Sequence, residues 1–457
     1  MNINPIIFKD YDIRGSYPEE LNEETFGLIA EELVVTYKLH RVAIGRDVRL
    51  SSESLQKAMT KVLVDLGVNV TDLGLISTDM HFFAAGNYDF DLVIMVTGSH
   101  VKGKNGLKIS LKGGIALSGD SGLYAIRDKI VQRGDRYPVA EIKGTVNDKN
   151  IVNDWITACC KQIDVSLLKP LKIVVDTGNG VGGLILEKVE KLLPGQFINL
   201  YFEPDGNFPN HFPSPIEPEN VADLITKVVS EKADFGVAFD ADADRAFFVD
   251  HQGRSYSGTI LTAMLAKRML EKYPGECVLY NAVCGRIVPE TIRKYGGKPI
   301  RVRVGYSLIK QKMIGYQAIF AGEHSGHFFY RDIFNIDSGL ITMLIIYEIM
   351  AKSGKSFNQL ASEFDVYTQS GEVNFIVDDK NAVIDSVESR FSSSAVSTDR
   401  LDGLSVWYSN GWFNLRPSNT ESLLRLNVEG DNEIVMQKQF SEVEQYLVGL
   451  GCTRKGV

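Results

Sequence analysis

Three aspartates at alternate positions form the pattern in this sequence that most directly suggests chemistry. Asp240, Asp242 and Asp244 are separated by single alanines and are followed by Arg245. Small residues between carboxylates let a loop fold its oxygens around one hard cation. An EF-hand loop also begins with alternate acids, but it needs glycine where Arg245 stands and glutamate where His251 stands. The pattern therefore predicts a different metal site, and the small number of protein ligands favours Mg²⁺ over caged Ca²⁺.

A serine follows another apolar run. Thr-Gly-Ser-His at 97–100 comes directly after residues 92–96, which read as a strand buried on both faces. Open α/β sheets bind ligands at this carboxyl edge. Ser99 could act there as a nucleophile, although a plain turn serine is the ordinary alternative. A basic cluster that suits a phosphate on Ser99, or else a solvated charge run, follows as Lys102, Lys104 and Lys108.

Two later stretches carry groups suited to a sugar phosphate. Residues 322–327, Gly-Glu-His-Ser-Gly-His, offer acceptors and donors for hydroxyl groups, and His327 can move protons near neutral pH. Residues 416–421, Arg-Pro-Ser-Asn-Thr-Glu, combine a guanidinium with hydroxyl and amide groups, which suits phosphate binding. A polar turn is the alternative at both places.

A glycine-rich turn leaves a different function open. Gly178, Gly180 and Gly183 match the G-x-G-x-x-G fingerprint between a predicted strand and helix, with Glu203 about 20 residues further on. A nicotinamide-dependent oxidoreductase would use such a turn. Close packing of the strand against the helix explains the glycines equally well.

Strands and helices alternate over most of the chain, which predicts α/β layers with parallel or mixed sheets. Similar units recur at 41–73, 171–202 and 277–304, and residues 373–457 read as a separate α+β domain. Polar segments supply candidate boundaries at 132–150, 251–254 and 368–372. The predicted domains are 1–150 with the serine loop, 151–252 with the metal loop, 253–368 with the sugar loop and 369–457 with the phosphate loop.

Composition excludes several classes of protein. The 457 residues have a net charge of −9 and 44% apolar content, so neither nucleic acid nor an anionic membrane is an expected partner. The five cysteines contain no C-x-x-C pair, which argues against a disulfide framework or a zinc site. The N-terminal residues show no signal-peptide pattern, and no long apolar run predicts a membrane span. A cytoplasmic protein with reduced thiols is expected.

Taken together and in this order, the stretches resemble the α-D-phosphohexomutase family, in particular its phosphomannomutase/phosphoglucomutase branch. The likeness opens with Phe-Lys-Asp-Tyr-Asp-Ile-Arg-Gly at 8–15 and Gly-Arg-Asp at 45–47, and it ends at 416–421. It implies four domains around a central cleft, three of them similar α/β domains with mixed sheets and the fourth α+β. It implies a phosphomannomutase, also active as a phosphoglucomutase, that interconverts hexose 6-phosphate and hexose 1-phosphate for nucleotide-sugar and polysaccharide synthesis.

The resemblance also implies a role for each matching residue. The phosphorylated residue would be Ser99, which would bind Mg²⁺ together with Asp240, Asp242 and Asp244. Catalysis would further involve Lys108 and Arg245 beside the transferring phosphoryl group, and His327 as candidate general base. Sugar hydroxyls would be bound by Glu323, Ser325 and His327. The phosphate that does not react would be bound by Arg416, Ser418, Asn419 and Thr420. The first domain would contribute Tyr11, Arg14 and Arg46.

The implied reaction passes through a hexose 1,6-bisphosphate, which would also activate the enzyme. This intermediate must turn round before Ser99 takes a phosphoryl group back. The chain departs from the family pattern with Val101-Lys102 where Asn-Pro is usual, Ala241 where glycine is commoner, and Val283 where some relatives have lysine. A non-catalytic sugar-phosphate sensor is therefore the alternative. A small phosphosugar is the expected ligand of a monomer or weak homodimer.

Overall fold

The computed structural model describes residues 3–418 and 422–456. Its α-helices are, in chain order, α1 Glu23–Tyr37, α2 Ser52–Asp65, α3 Thr78–Asn87, α4 Tyr124–Gln132, α5 Val152–Cys160, α6 Gly182–Val189, α7 Ala222–Glu231, α8 Gly258–Lys272, α9 Ile287–Lys294, α10 Tyr306–Tyr316, α11 Gly339–Ser353, α12 Phe357–Ala361, α13 Lys380–Phe391 and α14 Glu433–Gly449. Its strands are β1 Ile13–Ser16, β2 Arg41–Arg46, β3 Asn69–Leu75, β4 Leu92–Val96, β5 Lys104–Leu111, β6 Ile115–Ala116, β7 Val146–Asp148, β8 Leu171–Asp176, β9 Gly195–Leu200, β10 Phe235–Phe239, β11 Ala246–Asp250, β12 Cys277–Asn281, β13 Lys298–Val302, β14 Phe320–Gly322, β15 Phe328–Tyr330, β16 Ile336–Asp337, β17 Thr368–Ile376, β18 Ser397–Asp399, β19 Leu404–Tyr408, β20 Gly411–Pro417, β21 Leu423–Gly430 and β22 Thr453–Arg454.

These elements form two compact units. One unit comprises residues 1–258, 306–321 and 325–360, and the other comprises 259–305, 322–324 and 361–457. Both contain helices packed with sheets, and parallel and antiparallel pairs occur together within the first unit. The predicted α/β class with mixed sheets is therefore confirmed. The four domain bounds given above stay a prediction.

The larger sheet of the first unit brings several loops to one edge. Its strand order is β1-β5-β4-β2-β3-β7, with β6 beside β5. β2 runs parallel to β3 and β4, whereas β5 runs antiparallel to β4 and β1. All five side chains of β4 are buried, as its unbroken apolar sequence predicts for a central strand. The loops that follow β2 and β4 therefore leave the sheet side by side.

A four-stranded sheet in the same unit holds the aspartate loop. Its order is β11-β10-β8-β9, with β8 parallel to both β9 and β10. β10 and β11 form an antiparallel hairpin in which Phe239 pairs with Ala246. Residues 240–245 are thus the tip of a hairpin, and both of its strands are largely buried. Buried flanking strands hold the backbone of this tip firmly in place.

The second unit contains an antiparallel sheet in the order β18-β19-β20-β21-β17-β22, and also β12 paired in parallel with β13. The α+β prediction for the C-terminal part is confirmed. Residues 368–372, which the sequence predicts as a polar boundary, form the start of β17. A β-bulge between Gln369 and Glu372 accommodates the extra residues, and the Gln369 amide donates to the Glu429 carboxylate at 3.0 Å. Polar side chains can thus lie within a sheet when the neighbouring strand supplies their partners.

The apolar run at residues 340–350, which predicts a buried helix, lies in α11. The first residue of this helix follows Ser338, whose hydroxyl accepts a hydrogen bond from the Ile341 amide at 3.2 Å. Gly354 ends the helix with φ +66°. Among the described residues no helix combines the length and the apolar character that a membrane crossing needs.

A buried ion pair at the end of β8 leads to a prediction about the stability of the protein. His211 Nε2 lies 2.9 Å from a carboxylate oxygen of Asp176 at the end of β8. Burial alone would lower the pKa of His211, but the hydrogen bond and the charge of Asp176 outweigh it and raise the pKa above 6.5. The pair therefore stabilises the fold fully below the unfolded-state pKa, and this contribution is lost as the pH rises through the raised value.

We expect His211→Gln to lower the free energy of unfolding by roughly 1–3 kcal/mol near pH 6 and by clearly less near pH 9. Urea unfolding of both proteins across this range measures the difference. A deficit that is constant with pH would show that the charge on His211 contributes nothing.

Candidate active site

Ser99 lies where the sequence predicts it, directly beyond the carboxyl end of β4. The side chain is buried, and the backbone has φ +52°, an uncommon conformation for a residue other than glycine. Its amide donates to Thr97 Oγ1 at 2.8 Å. Its hydroxyl lies 3.1 Å from His100 Nδ1. The hydroxyl of Ser99 is therefore buried beside the His100 ring.

The three aspartates of the hairpin tip face one another. Asp240, Asp242 and Asp244 are buried, and a carboxylate oxygen of each lies within 4.8 Å of the others. Ala243 between them has φ +58°. Asp242 Oδ1 and Asp244 Oδ1 are buried without a hydrogen-bond partner. Buried carboxylate oxygens normally have partners, so these two orphaned oxygens fit a bound hard cation.

Arg245 and Lys108 neutralise much of the charge of this cluster. Arg245 Nε donates to Asp240 at 2.8 Å, and Lys108 Nζ donates to Asp242 at 2.9 Å and to Asp244 at 2.7 Å. Burial alone would raise the pKa of Asp242, but Lys108 and the Thr78 hydroxyl hold it well below its usual value. The carboxylate of Asp242 is therefore ionised and ready for a cation.

The predicted basic cluster after Ser99 is not formed. Lys102 is exposed, and Lys104 binds the Ser16 hydroxyl at 2.7 Å and Glu20 at 3.1 Å. Lys108 is buried against the aspartates instead. The physical reason is that carboxylates on neighbouring elements pair with the lysines of β5 and hold them apart.

The aspartate loop and the Ser99 loop meet at Asp242, which also binds Thr78, the first residue of α3. Its hydroxyl donates to Asp242 Oδ2 at 2.6 Å, and its amide donates to the Asp242 carbonyl at 2.9 Å. Thr97 Oγ1 lies 3.5 Å from the same carboxylate oxygen. On the other side, Arg245 Nη2 donates to His100 Nδ1. Two loops remote in sequence thus share one buried polar cluster.

His327 joins the same cluster from the third segment of the unit. Its Nδ1 lies 2.8 Å from Asp337 Oδ2 and 3.8 Å from Asp244 Oδ1. Burial alone would lower the pKa of His327, but Asp244 and Asp337 outweigh it and raise the pKa. The hydrogen bond from Nδ1 to Asp337 fixes the ring and directs Nε2 to other partners, a common arrangement for proton-transferring histidines.

The predicted residues Tyr11, Arg14 and Arg46 bind neighbours within the first unit. The Tyr11 carbonyl accepts a hydrogen bond from the Tyr306 hydroxyl at 2.7 Å. Arg14 pairs with Asp12, and Arg46 lies 3.9 Å from Glu53. Arg14 keeps 20% of its side chain exposed, so it remains accessible to an anion.

The remaining predicted residues lie mostly in the second unit. Glu323 is buried and accepts hydrogen bonds from Asn281 at 3.1 Å and from the Gly305 amide at 3.3 Å. Arg416 donates to Glu372 at 2.9 Å. The Ser418 amide donates to the Leu423 carbonyl at 2.9 Å. Ser325 belongs to the first unit and is partly exposed, and Asn419 and Thr420 lie outside the described residues.

Sequence reasoning missed four residues of the first-unit cluster. Thr78 and Asp337 bind predicted residues directly. Tyr306 and Lys310 lie one turn apart on α10; Lys310 is buried, with its ammonium 3.0 Å from the centre of the Phe82 ring. The sequence around the first residue of a helix, or around a polar residue within a helix, does not show that the residue takes part in catalysis. The same holds for Asp337, which ends the short strand β16.

The glycine-rich turn is filled by protein backbone. A Cβ at Gly180 would lie 2.6 Å from the Ala241 carbonyl oxygen, and one at Gly183 would lie 2.1 Å from the Phe202 carbonyl oxygen. The turn thus packs against the aspartate loop and the strand end. This close packing, rather than a dinucleotide, accounts for the glycines.

We therefore expect Gly180→Ala to push on the aspartate loop and to destabilise the protein by roughly 1–3 kcal/mol. Gly134→Ala is the control, because a Cβ there meets open space. Thermal unfolding of the two variants measures the difference. Equal melting temperatures would contradict the packing explanation.

Comparison with known proteins agrees with this geometry. Family models described as phosphoglucomutase/phosphomannomutase domains I, II, III and the C-terminal domain match residues 5–134, 153–253, 257–367 and 372–445. A Xanthomonas campestris protein named for phosphohexose mutases is 38% identical over 447 residues, covering 97% of this chain and 99% of that protein. A phosphomannomutase from Salmonella montevideo is 36% identical over 453 residues, covering 97% and 99%.

Two further similar proteins are a relative named for both mutase activities and a protein of known crystal structure. A Pseudomonas aeruginosa phosphomannomutase/phosphoglucomutase is 36% identical over 442 residues, covering 94% of this chain and 93% of that protein. The crystal structure of a phosphoglucomutase/phosphomannomutase family protein from Burkholderia thailandensis matches with TM-score 0.90 at 30% identity, covering 99% of this chain and all of that chain. The chain therefore belongs to the phosphoglucomutase/phosphomannomutase family of phosphohexose mutases.

Proposed function

We propose that this protein is a phosphomannomutase that also accepts the glucose phosphates and interconverts hexose 6-phosphate with hexose 1-phosphate. One observation supports this proposal above all. Ser99, the three aspartates, Lys108 and Arg245 are all buried, and all lie in the first unit. The names of relatives covering nearly the whole chain support the same activity.

Ser99 is the phosphoryl carrier in this proposal. Transfer from phosphoserine breaks the bond between Ser99 Oγ and phosphorus and forms a bond from phosphorus to the free hydroxyl oxygen of the hexose phosphate. The product is a hexose 1,6-bisphosphate. After this intermediate turns round, its other phosphoryl group is transferred to Ser99 Oγ, and the hexose monophosphate product is left. A hexose 1,6-bisphosphate from outside would likewise load an unphosphorylated enzyme and so act as an activator.

Asp240, Asp242 and Asp244, together with an oxygen on Ser99, would hold Mg²⁺. The orphaned buried oxygens of Asp242 and Asp244 support this assignment. A structurally similar N-acetylphosphoglucosamine mutase from Aspergillus fumigatus, 15% identical to this chain, was crystallised in complex with GlcNAc-6P and magnesium. When bound, the ion supplies positive charge to the transferring phosphoryl group.

Positioning and neutralisation of charge supply most of the catalysis in phosphoryl transfer. Arg245 and Lys108 are the cations placed beside the aspartates, and in the loaded enzyme they face the phosphoryl oxygens. His327 is the proposed acceptor of the proton from the attacking hydroxyl, with Asp337 holding its Nδ1. In the reverse transfer the same histidine returns the proton.

The sugar and its second phosphate are assigned to other residues. Glu323 and Ser325 bind the 3- and 4-hydroxyls, and Arg416, Ser418, Asn419 and Thr420 bind the phosphate that does not react. Tyr11 and Arg14 complete the substrate contacts. The 3- and 4-hydroxyls have the same configuration in mannose and glucose. The 2-hydroxyl, whose configuration differs, has no assigned partner, and the enzyme should therefore accept both sugars.

A phosphorus NMR time course tests the activity. Protein, Mg²⁺ and a trace of glucose 1,6-bisphosphate are incubated with mannose 1-phosphate and, separately, with glucose 1-phosphate. We expect both 1-phosphate signals to convert to 6-phosphate signals. Binding of the bisphosphate without conversion of either sugar would overturn the proposal in favour of a sugar-phosphate sensor.

A further inference from the structure

The loop that carries Ser99 needs an external support. Its φ of +52° is sterically unfavourable for serine, and the residues that follow, Val101-Lys102, lack the restraint of a proline. A conformation of this kind persists only when surrounding groups over-determine it. The groups that do so lie on the neighbouring strand.

Asp47 is the first of these groups. It follows β2, whose last residue, Arg46, is in register with Val96 at the end of β4. Asp47 Oδ2 accepts hydrogen bonds from Thr97 Oγ1 at 2.8 Å and from the Gly98 amide at 3.3 Å. Its Oδ1 accepts from Ser52 Oγ at 2.5 Å and from the amide of Arg49. This carboxylate is fully enclosed, and each of its oxygens accepts two hydrogen bonds.

Arg49 is the second group. Its Nε lies 3.2 Å from Asp47 Oδ2, and its Nη2 donates to the carbonyl oxygen of Ser99 itself. Only 7% of the side chain is exposed. A Cβ at Gly98 would lie 2.7 Å from Arg49 Nε and 2.2 Å from the Lys104 carbonyl. The guanidinium is therefore packed directly against the loop, in space that only glycine leaves free.

We propose that Asp47 and Arg49 are positioning residues that fix the left-handed backbone of Ser99 and so hold its Oγ beside His100, which also contacts Arg245 of the aspartate loop. Asp47 holds the residues before Ser99, and Arg49 holds the Ser99 carbonyl. The proposal rests on the proposed function, in which Ser99 carries the phosphoryl group. A misplacement of about 1 Å costs roughly 100-fold in rate, so the pair acts on transfer rather than on sugar binding.

The experiment compares Asp47→Asn, Arg49→Met and Arg49→Lys with the control Asp91→Asn. Asp91 accepts two backbone amides in the same part of the chain, from His40 and Arg41 at 2.8 Å, but has no contact with the Ser99 loop among the described residues. Two quantities are measured for each: steady-state kcat and KM for mannose 1-phosphate, and the rate at which glucose 1,6-bisphosphate phosphorylates Ser99, followed by intact mass.

For Asp47→Asn and Arg49→Met we expect kcat and the Ser99 phosphorylation rate to fall together by roughly 30- to 100-fold, with KM within about threefold of wild type. Arg49→Lys, which retains a donor, should recover part of both rates. Asp91→Asn should change neither. Circular dichroism and melting temperature identify the folded fraction in each sample.

Unchanged phosphorylation rates in folded Asp47→Asn and Arg49→Met would overturn the proposal, and so would a rise in KM that accounts for the whole loss. If every variant of the pair fails to fold, the pair is structural and the proposal is equally wrong. An inactive wild-type protein would instead contradict the proposed function.

Discussion

Replacing Ser99 by alanine is expected to lower kcat for the conversion of mannose 1-phosphate by roughly 10⁴- to 10⁶-fold, as for other enzymes that lose their nucleophile. Alanine removes the oxygen that carries the phosphoryl group in the proposed reaction. Turnover is measured by phosphorus NMR at saturating Mg²⁺ and bisphosphate.

Ser110→Ala is the matched control for this prediction. Ser110 is a buried serine of β5, the strand beside β4, and its hydroxyl has no hydrogen-bond partner. Its removal should leave kcat within about twofold of wild type, since the mutation breaks no interaction. Full turnover by Ser99→Ala would show that another group accepts the phosphoryl group, and the assignment of Ser99 would then be wrong.

Replacing Asp242 by asparagine is expected to weaken Mg²⁺ binding at least about tenfold and to lower kcat by roughly 100-fold or more. Asp242 offers one oxygen without a partner and uses the other to bind Thr78 and Lys108. The neutral amide has nearly the same shape, so the change removes charge while disturbing packing little. Mg²⁺ affinity is measured by calorimetry and activity over a Mg²⁺ titration.

Asp250→Asn is the control for the metal prediction. Asp250 is equally buried but lies at the other end of the same hairpin, where it accepts the Tyr256 hydroxyl at 2.8 Å. It should leave the Mg²⁺ dependence unchanged even if it lowers the melting temperature. Chelation of metal from wild-type protein should abolish turnover, and added Mg²⁺ should restore it. Wild-type Mg²⁺ affinity in Asp242→Asn would contradict the site.

The sequence predicts the parts of this site that are local in the chain. Alternate aspartates at a hairpin tip and a serine after an apolar strand are each encoded within about six residues, and the structure has both loops at the ends of buried strands. The strand of residues 92–96 and the helix around 340–350 were predictable for the same reason. Their unbroken apolar sequences can be accommodated only in a core.

Residues that act across the fold could not be predicted in this way. Thr78 binds Asp242 from 164 positions away, and Asp47 and Arg49 reach the Ser99 loop from about 50 positions away. The parallel register of β2 with β4 brings Asp47 and Arg49 to the Ser99 loop. The lysine cluster was mispredicted because a run of like charges says nothing about the carboxylates that neighbouring elements will supply. The roles assigned to the sugar and phosphate residues stay predictions.

A single-turnover labelling experiment follows the phosphoryl group on Ser99 itself. Wild-type protein carrying a radioactive phosphoryl group on Ser99 is mixed with Mg²⁺ and excess mannose 1-phosphate, and the products are separated after less than one turnover. We expect the label to leave Ser99 and to appear first in mannose 1,6-bisphosphate and then in mannose 6-phosphate. Formation of mannose 6-phosphate while the label stays on Ser99, or appears only as inorganic phosphate, would show that Ser99 does not carry the phosphoryl group between sugars.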